Sequence, residues 1–177
     1  MSLTTSHTPL ARLATLYAIA SMALTAVSTA QADNPRLHVP LLPKYQQECA
    51  ACHMAYPPGM LPAGSWARMT RTLDKHYGTD ASLDDASVRD ISKWLQANAG
   101  TYKRVKEEPP EDRITQTAWF VRKHRALDAT VWRHVSVKSA ANCAACHTRA
   151  DKGEYDDDAG LKFPEGLPER YRRAWSD

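Results

Sequence analysis

Apolar residues recur at intervals of three and four along much of the chain, which is the spacing of one face of a helix. This pattern predicts helices at 44–53, 66–77, 84–98, from about 117, and at 139–147. Glycine is scarce, and runs rich in Val, Ile and Thr, which favour strands, are few. Prolines interrupt the segments between the helices, because a helix interior does not tolerate them. The expected fold is therefore all-α, with Pro-rich loops.

One apolar segment, from Leu13 to about Val27, is of a different kind. A short polar stretch with one arginine precedes it, and Ser-Thr-Ala-Gln-Ala follows, which has the small residues of an A-x-A cleavage site. The segment is shorter than the roughly 20 residues that cross a bilayer. We expect residues 1–32 to be a signal peptide that is cleaved after Ala32, giving a periplasmic protein without a membrane span. The alternative is an uncleaved anchor.

The middle of the chain has the composition of a linker. Residues 103–113, KRVKEEPPEDR, are charged and contain a Pro-Pro pair. We therefore place a linker at 104–113, between small units at 33–103 and 114–177.

The four cysteines form two pairs, and a histidine follows each pair directly, giving C-x-x-C-H at 49–53 and at 143–147. This motif is the attachment signal for c-type haem. Two thiols on one helical turn form thioether bonds to one porphyrin, and the next imidazole binds its iron. We predict two covalently attached haem c groups. Their attaching residues would be Cys49, Cys52, Cys143 and Cys146, with His53 and His147 as the first axial ligands.

Other uses of these cysteines fit the pattern less well. Disulfide bonds are common in secreted proteins, but the histidine after each pair would then be a coincidence. A thioredoxin-like redox motif needs a βαβ setting, which the helical pattern does not provide. Paired zinc knuckles stand about 15–20 residues apart, whereas these pairs stand at 49–52 and 143–146.

The sixth ligand determines whether each iron is closed or open to small molecules. For the first haem we favour His76, at the margin of the apolar stripe of the helix expected over 66–77. Ser65 would be the N-cap of that helix. Met60 is the alternative methionine ligand, and methionine ligation would raise the reduction potential. His38 is expected to be a surface histidine.

For the second haem, no histidine or methionine follows His147, so the ligand must come from upstream. His124 and His134 share one face of a helix counted from Phe120, together with Leu127, Val131 and Val135. His134 stands close before Cys143, which leaves little chain to reach the opposite side of a haem. We therefore favour His124, with His134 as the alternative. A crossed arrangement, with His124 on the first haem and His76 on the second, stays open.

Two long segments resemble the di-haem cytochrome c family often called DHC: ECAACHMAYPPGMLPAGSWARMTRTLDKHYGTDASL at 48–83 and WFVRKHRALDATVWRHVSVKSAANCAACHTRADKGEYDDD at 119–158. The resemblance implies an N-terminal domain like a class I cytochrome c and a C-terminal haem domain of different build. It also implies bis-histidine, low-spin, low-potential haems. In that pattern His53 pairs with His76, and His147 pairs with His124. The implied redox partners are a small oxygen-binding high-spin cytochrome c and a membrane cytochrome b.

These features favour an electron carrier without enzymatic activity. A small peroxidase-like di-haem enzyme is the alternative, but it would need an open iron with acid–base groups beside it. A di-haem subunit of a periplasmic reductase complex is a second alternative, against which the wide separation of the two motifs argues. The formal net charge is only +3, without a basic tract interleaved with aromatics, so nothing favours nucleic-acid binding.

Overall fold

Helices joined by turns make up the part of the chain that this computed structural model describes, residues 35–101, 105–156 and 160–175. The α-helices are α1 (Pro43–Cys49), α2 (Ala63–Arg71), α3 (Asp85–Ala97), α4 (Ala118–Lys123) and α5 (Ala129–Arg133). The 3₁₀ helices are Pro35–His38, Pro58–Met60, Leu73–Lys75, Pro110–Asp112, Ile114–Gln116, Cys143–Ala145, Ala150–Lys152 and Glu169–Trp175. These residues contain no strand, which confirms the all-α prediction.

The signal peptide expected at 1–32 lies outside the described residues. Among those that are described, no helix is both long and apolar enough to cross a membrane. The domain boundaries expected at 33–103, 104–113 and 114–177 stay a prediction.

α3 begins where the sequence places it. The Asp84 carboxylate accepts hydrogen bonds from the main-chain nitrogens of Ala86 and Ser87, both at 3.0 Å, and so caps the first turn. Ile91 and Leu95 of this helix are buried, as their spacing predicts. A strong cap and a regular apolar face thus identify this helix from sequence alone.

The helix expected over 66–77 is wrong at both ends. α2 begins at Ala63, after Pro62, and Ser65 lies buried inside it rather than capping it. It ends at Arg71 because the backbone leaves the helical conformation at Thr72, with φ −125° and ψ 37°. His76 therefore follows a 3₁₀ turn and does not lie on the α-helix.

Both haem motifs lie largely in turns, although helices were expected at 44–53 and 139–147. α1 ends at Cys49, and the next four residues form turns and a bend. Before the second motif, Lys138 has φ 71°, which a right-handed helix does not accommodate. Only Cys143–Ala145 is helical there, as a short 3₁₀ turn.

The continuous helix counted from Phe120 is also wrong. Thr117 caps α4, which ends at Lys123, and a new helix, α5, begins after its own cap, Asp128. Val135 is 80 % exposed and belongs to no apolar face.

The apolar side chains form two separate clusters. The first cluster lies mainly between α1, α2 and α3 and contains Tyr45, Ala55, Leu61, Trp66, Ile91, Leu95 and Ala99. The second cluster joins α5 to the C-terminal segment and contains Val131, Val137, Leu167 and Tyr171. Each cluster supports one of the two motif-bearing parts of the chain.

Candidate haem sites

The turn after Leu73–Lys75 brings His76 opposite His53, the histidine of the first motif. The centres of the two imidazole rings are 6.1 Å apart, and the ring planes are inclined by 29°. The Nδ1 atom of His53 lies 2.7 Å from the carbonyl oxygen of Met54, which leaves its Nε2 atom available. The Nδ1 atom of His76 is buried and has no hydrogen-bond partner among the described residues.

A second pair forms between His124, at the C-terminal end of α4, and His147 of the second motif. Their ring centres are 6.3 Å apart, and the ring planes are inclined by 81°. The Nδ1 atom of His124 lies 2.9 Å from the carbonyl oxygen of Phe120, so its Nε2 atom is also available. Backbone contacts fix the position of His147, which forms an isolated β-bridge with Leu161.

The second pair lies in a cavity with a largely apolar lining. Cys143 and Cys146 line it together with both histidines. Its aromatic and aliphatic lining residues include Phe120, Leu127, Trp132, Tyr155, Leu161 and Trp175. A flat, apolar macrocycle attached through the two thiols would meet aromatic surfaces here rather than water.

The spacing of both pairs fits a metal ion between them. With a metal–nitrogen bond of about 2 Å, two imidazoles on opposite sides of one ion have ring centres about 6 Å apart. Metal-binding histidines usually donate the other ring N–H to a carbonyl or carboxylate. His53 and His124 both have such a carbonyl within reach. The four residues therefore fit two haem irons, each between two imidazoles.

A family model described as dihaem cytochrome c matches residues 45–155. This chain belongs to the dihaem cytochrome c family. It is similar to the diheme cytochrome c from Rhodobacter sphaeroides, with 40% identity over 64% of this chain and 96% of that chain and a TM-score of 0.57. It is also similar to a diheme cytochrome type c from Shewanella baltica OS155, with 34% identity, 69% and 93% coverage and a TM-score of 0.59. None of the curated proteins matches.

Family membership fixes the cofactors. Dihaem cytochromes c are electron-carrying haem proteins, so this chain carries two haem c groups. The four described motif cysteines form no disulfide with one another, so their sulfurs are available for thioether bonds to haem.

Burial shifts the pKa of the two histidines that face the motif histidines of this dihaem cytochrome. It lowers the pKa of His124, and it lowers that of His76 together with the neighbouring His53 and Arg113. Both imidazoles therefore favour the neutral form, which is the form that binds metals.

His124 and the alternative ligand, His134, lie in different surroundings, and the choice between them stays a prediction. His134 follows α5, and its Nδ1 atom lies 2.8 Å from the Ser136 hydroxyl. It is not among the residues that line the cavity around His124 and His147. His76 faces His53, and His124 faces His147, which is the uncrossed arrangement of the two pairs. His38 is exposed, as expected.

Met60 lies at a place that the sequence did not indicate. It is 4 % exposed and lines the cavity of the second motif, although it follows the first motif in sequence. Tyr56 also connects the first motif with the segment before the second. Its ring centre lies 4.9 Å from that of His53, and its hydroxyl donates to the carbonyl of Ala141, just before the second motif.

Proposed function

We propose that this protein is a periplasmic electron carrier in which two histidines close each haem iron. The observation that carries the proposal is the pairing of His53 with His76 and of His124 with His147 at 6.1 and 6.3 Å. Two strong axial ligands leave no position for a substrate, whereas an enzyme of the peroxidase type needs an open one. A haem protein whose irons are both closed in this way can still transfer electrons.

The attachment follows the two motifs. In this proposal Cys49 and Cys52 hold one haem, and Cys143 and Cys146 hold the other. Haem c supplies an iron that accepts and releases one electron at a time. The ring orientations of His53 and His124 are supported by the carbonyls of Met54 and Phe120.

The surroundings of the second pair bear on the reduction potential. The ring of Phe120 stacks on that of His124 with centres 4.0 Å apart, and Trp132 approaches the same histidine edge-on at 5.7 Å. These side chains exclude water from the distal side of the site. A drier site disfavours the extra positive charge of the oxidised state, while two histidine ligands favour a low potential.

The same proposal includes export and partners. The apolar segment at 13–27 and the small residues before Ala32 support cleavage after Ala32, and cytochromes c of this kind are typically exported. N-terminal sequencing of the exported protein should therefore begin at Asp33, and a chain that begins at Met1 would contradict this part. The family resemblance supports a small oxygen-binding high-spin cytochrome c and a membrane cytochrome b as redox partners.

The deciding experiment is the optical spectrum of the reduced holoprotein before and after addition of carbon monoxide. If both irons are closed by histidine pairs, the Soret band should not change within minutes of mixing. A rapid shift of one haem's band would show an open or labile iron. The ligand pair of that haem would then be wrong, and an enzymatic role would gain support.

A further inference from the structure

The turn that carries His76 has an unfavourable backbone. The main-chain nitrogen of Thr79 donates to the carbonyl of His76 at 3.0 Å, and the two residues between them, Tyr77 and Gly78, have φ of 51° and 94°. Two central residues with positive φ are the mark of a type I′ turn. Glycine accepts this conformation readily, but a residue with an aromatic side chain does so only when its surroundings hold it there.

The side chain of Tyr77 provides that hold. Its hydroxyl is 3.1 Å from the carbonyl oxygens of both Glu111 and Asp112, to which it donates a shared hydrogen bond. The guanidinium of Arg113 lies over the ring, 4.2 Å from its centre. Since Tyr77 is 42 % exposed, polar anchoring rather than deep apolar burial explains its position.

The segment to which Tyr77 is anchored is itself fixed to α2. Glu111 and Asp112 both have positive φ, of 53° and 55°. The Asp112 carboxylate receives two hydrogen bonds from Arg68, at 2.9 and 2.7 Å, and Glu108 pairs with the same guanidinium at 2.7 Å. A bidentate arginine–carboxylate pair fixes direction as well as distance. Tyr77 is thereby tied, through this segment, to a helix of the first apolar cluster.

His76 needs an orienting contact of this kind. His53 and His124 each have a main-chain carbonyl beside Nδ1, whereas the buried Nδ1 atom of His76 has no partner among the described residues. The ring of Tyr77 lies against that of His76, with centres 4.9 Å apart and planes inclined by 60°. The turn and this ring contact therefore take the place of the usual hydrogen bond to a metal-binding imidazole.

We propose that Tyr77 is the positioning residue of His76, holding the sixth ligand of the first haem in place through its anchor on Glu111 and Asp112. The inference rests on the proposed function, because it takes His76 to be that ligand. If Tyr77 has this role, the rate at which His76 leaves the iron depends on the Tyr77 hydroxyl, which contacts neither the imidazole nor the haem-attaching cysteines.

The test is the rate at which carbon monoxide binds to the reduced first haem of the Tyr77→Phe holoprotein. The substitution keeps the ring and removes the anchor, so binding should be about fivefold faster, the factor that corresponds to one hydrogen bond. A His76→Gly variant identifies the spectral change that belongs to the first haem. Tyr77→Asn, which tolerates the left-handed backbone but lacks the ring, should bind at least as fast as Tyr77→Phe.

Tyr171→Phe is the matched control. It also loses a tyrosine hydroxyl that donates a hydrogen bond, here to Asp128 in the second cluster. Its rate at the first haem should equal that of the unmodified protein. Equal rates in Tyr77→Phe and the unmodified protein, or the same acceleration in Tyr171→Phe, would overturn the inference. If the unmodified first haem itself bound carbon monoxide at once, the proposed function would fail instead.

Discussion

The hydroxyl of Tyr56 donates a hydrogen bond to the main-chain carbonyl of Ala141, at a distance of 2.7 Å. These residues are 85 positions apart, and each stands close to one of the two haem motifs. The ring of the same tyrosine contacts His53. One side chain thus joins the histidine of the first motif to the backbone that leads into the second.

Tyr56→Phe should loosen this connection while keeping the ring contact with His53. Loss of the hydrogen bond should lower the free energy of unfolding by about 1 kcal/mol. Amide hydrogen exchange near residues 139–143 should be faster, because the carbonyl of Ala141 loses its long-range partner. In Tyr155→Phe, whose hydroxyl donates to Ala150 only five positions away, exchange at 139–143 should stay unchanged. Equal protection of that segment in Tyr56→Phe and the unmodified protein would contradict the prediction.

The second haem offers a matched pair of histidine substitutions. His124→Ala should open the iron, so that carbon monoxide shifts one haem's Soret band in the reduced protein, because the partner of His147 is then missing. His134→Ala should give no such shift, since that ring lies beside Ser136 and not in the cavity. The opposite pattern in the two spectra would show that His134 is the ligand.

The two ring-plane angles predict two different paramagnetic signals. Nearly parallel imidazole planes, as at 29° for His53 and His76, split the iron dπ orbitals, whereas nearly perpendicular planes, as at 81° for His124 and His147, leave them close in energy. The oxidised protein should therefore show one rhombic and one strongly anisotropic low-spin signal in its electron paramagnetic resonance spectrum. Variant His124→Ala should lose the strongly anisotropic one. Two identical rhombic signals would be incompatible with the observed angles.

The sequence predicted the haem chemistry more reliably than it predicted the local structure. The C-x-x-C-H motifs specify a cofactor through residue types and spacing alone, so they can be recognised without a fold. α3 was predictable for a similar reason, because its cap and apolar face are local signals. The turn that carries His76 depends instead on contacts of Tyr77 with Glu111 and Asp112, which are distant in sequence.

His124 and His134 were both selected as candidates partly because of a continuous helix that does not exist. The supposed continuous face from Phe120 to Val135 is interrupted between α4 and α5. The short chain between His134 and Cys143 favours His124 whether or not that helix is continuous. The sequence did not reveal the contacts of Tyr56 and Tyr77. Both hydroxyls donate to main-chain carbonyls, and sequence patterns do not indicate such partners.

Asp128 should make the second cluster sensitive to acid. Its carboxylate accepts hydrogen bonds from the hydroxyls of Thr130 and Tyr171 and from the main-chain nitrogen of Thr130, and these lower its pKa to about 2. A carboxylate whose pKa is lower in the folded state stabilises the fold above its unfolded value of about 4. That contribution should fade as the pH falls from about 4 to about 2. In Asp128→Asn this part of the pH dependence should be missing from denaturant unfolding curves, and parallel profiles for the two proteins would contradict it.

Alanine substitutions at Gly153 and Gly166 distinguish the stability cost of backbone strain from that of a steric clash. Both have positive φ, 77° and 74°, so alanine at either position should cost about 1–2 kcal/mol of stability. At Gly166 a Cβ atom would meet nothing closer than Cε1 of His134 at 3.6 Å, an ordinary contact. At Gly153 it would overlap the carbonyl oxygen of Leu37, a main-chain atom that cannot rotate away. Gly153→Ala should therefore be less stable than Gly166→Ala by about 1–3 kcal/mol in denaturant titrations, as for an overpacked interior. Equal losses in the two variants would mean that the segment around Leu37 moves aside freely and does not pack firmly on the C-terminal part of the chain.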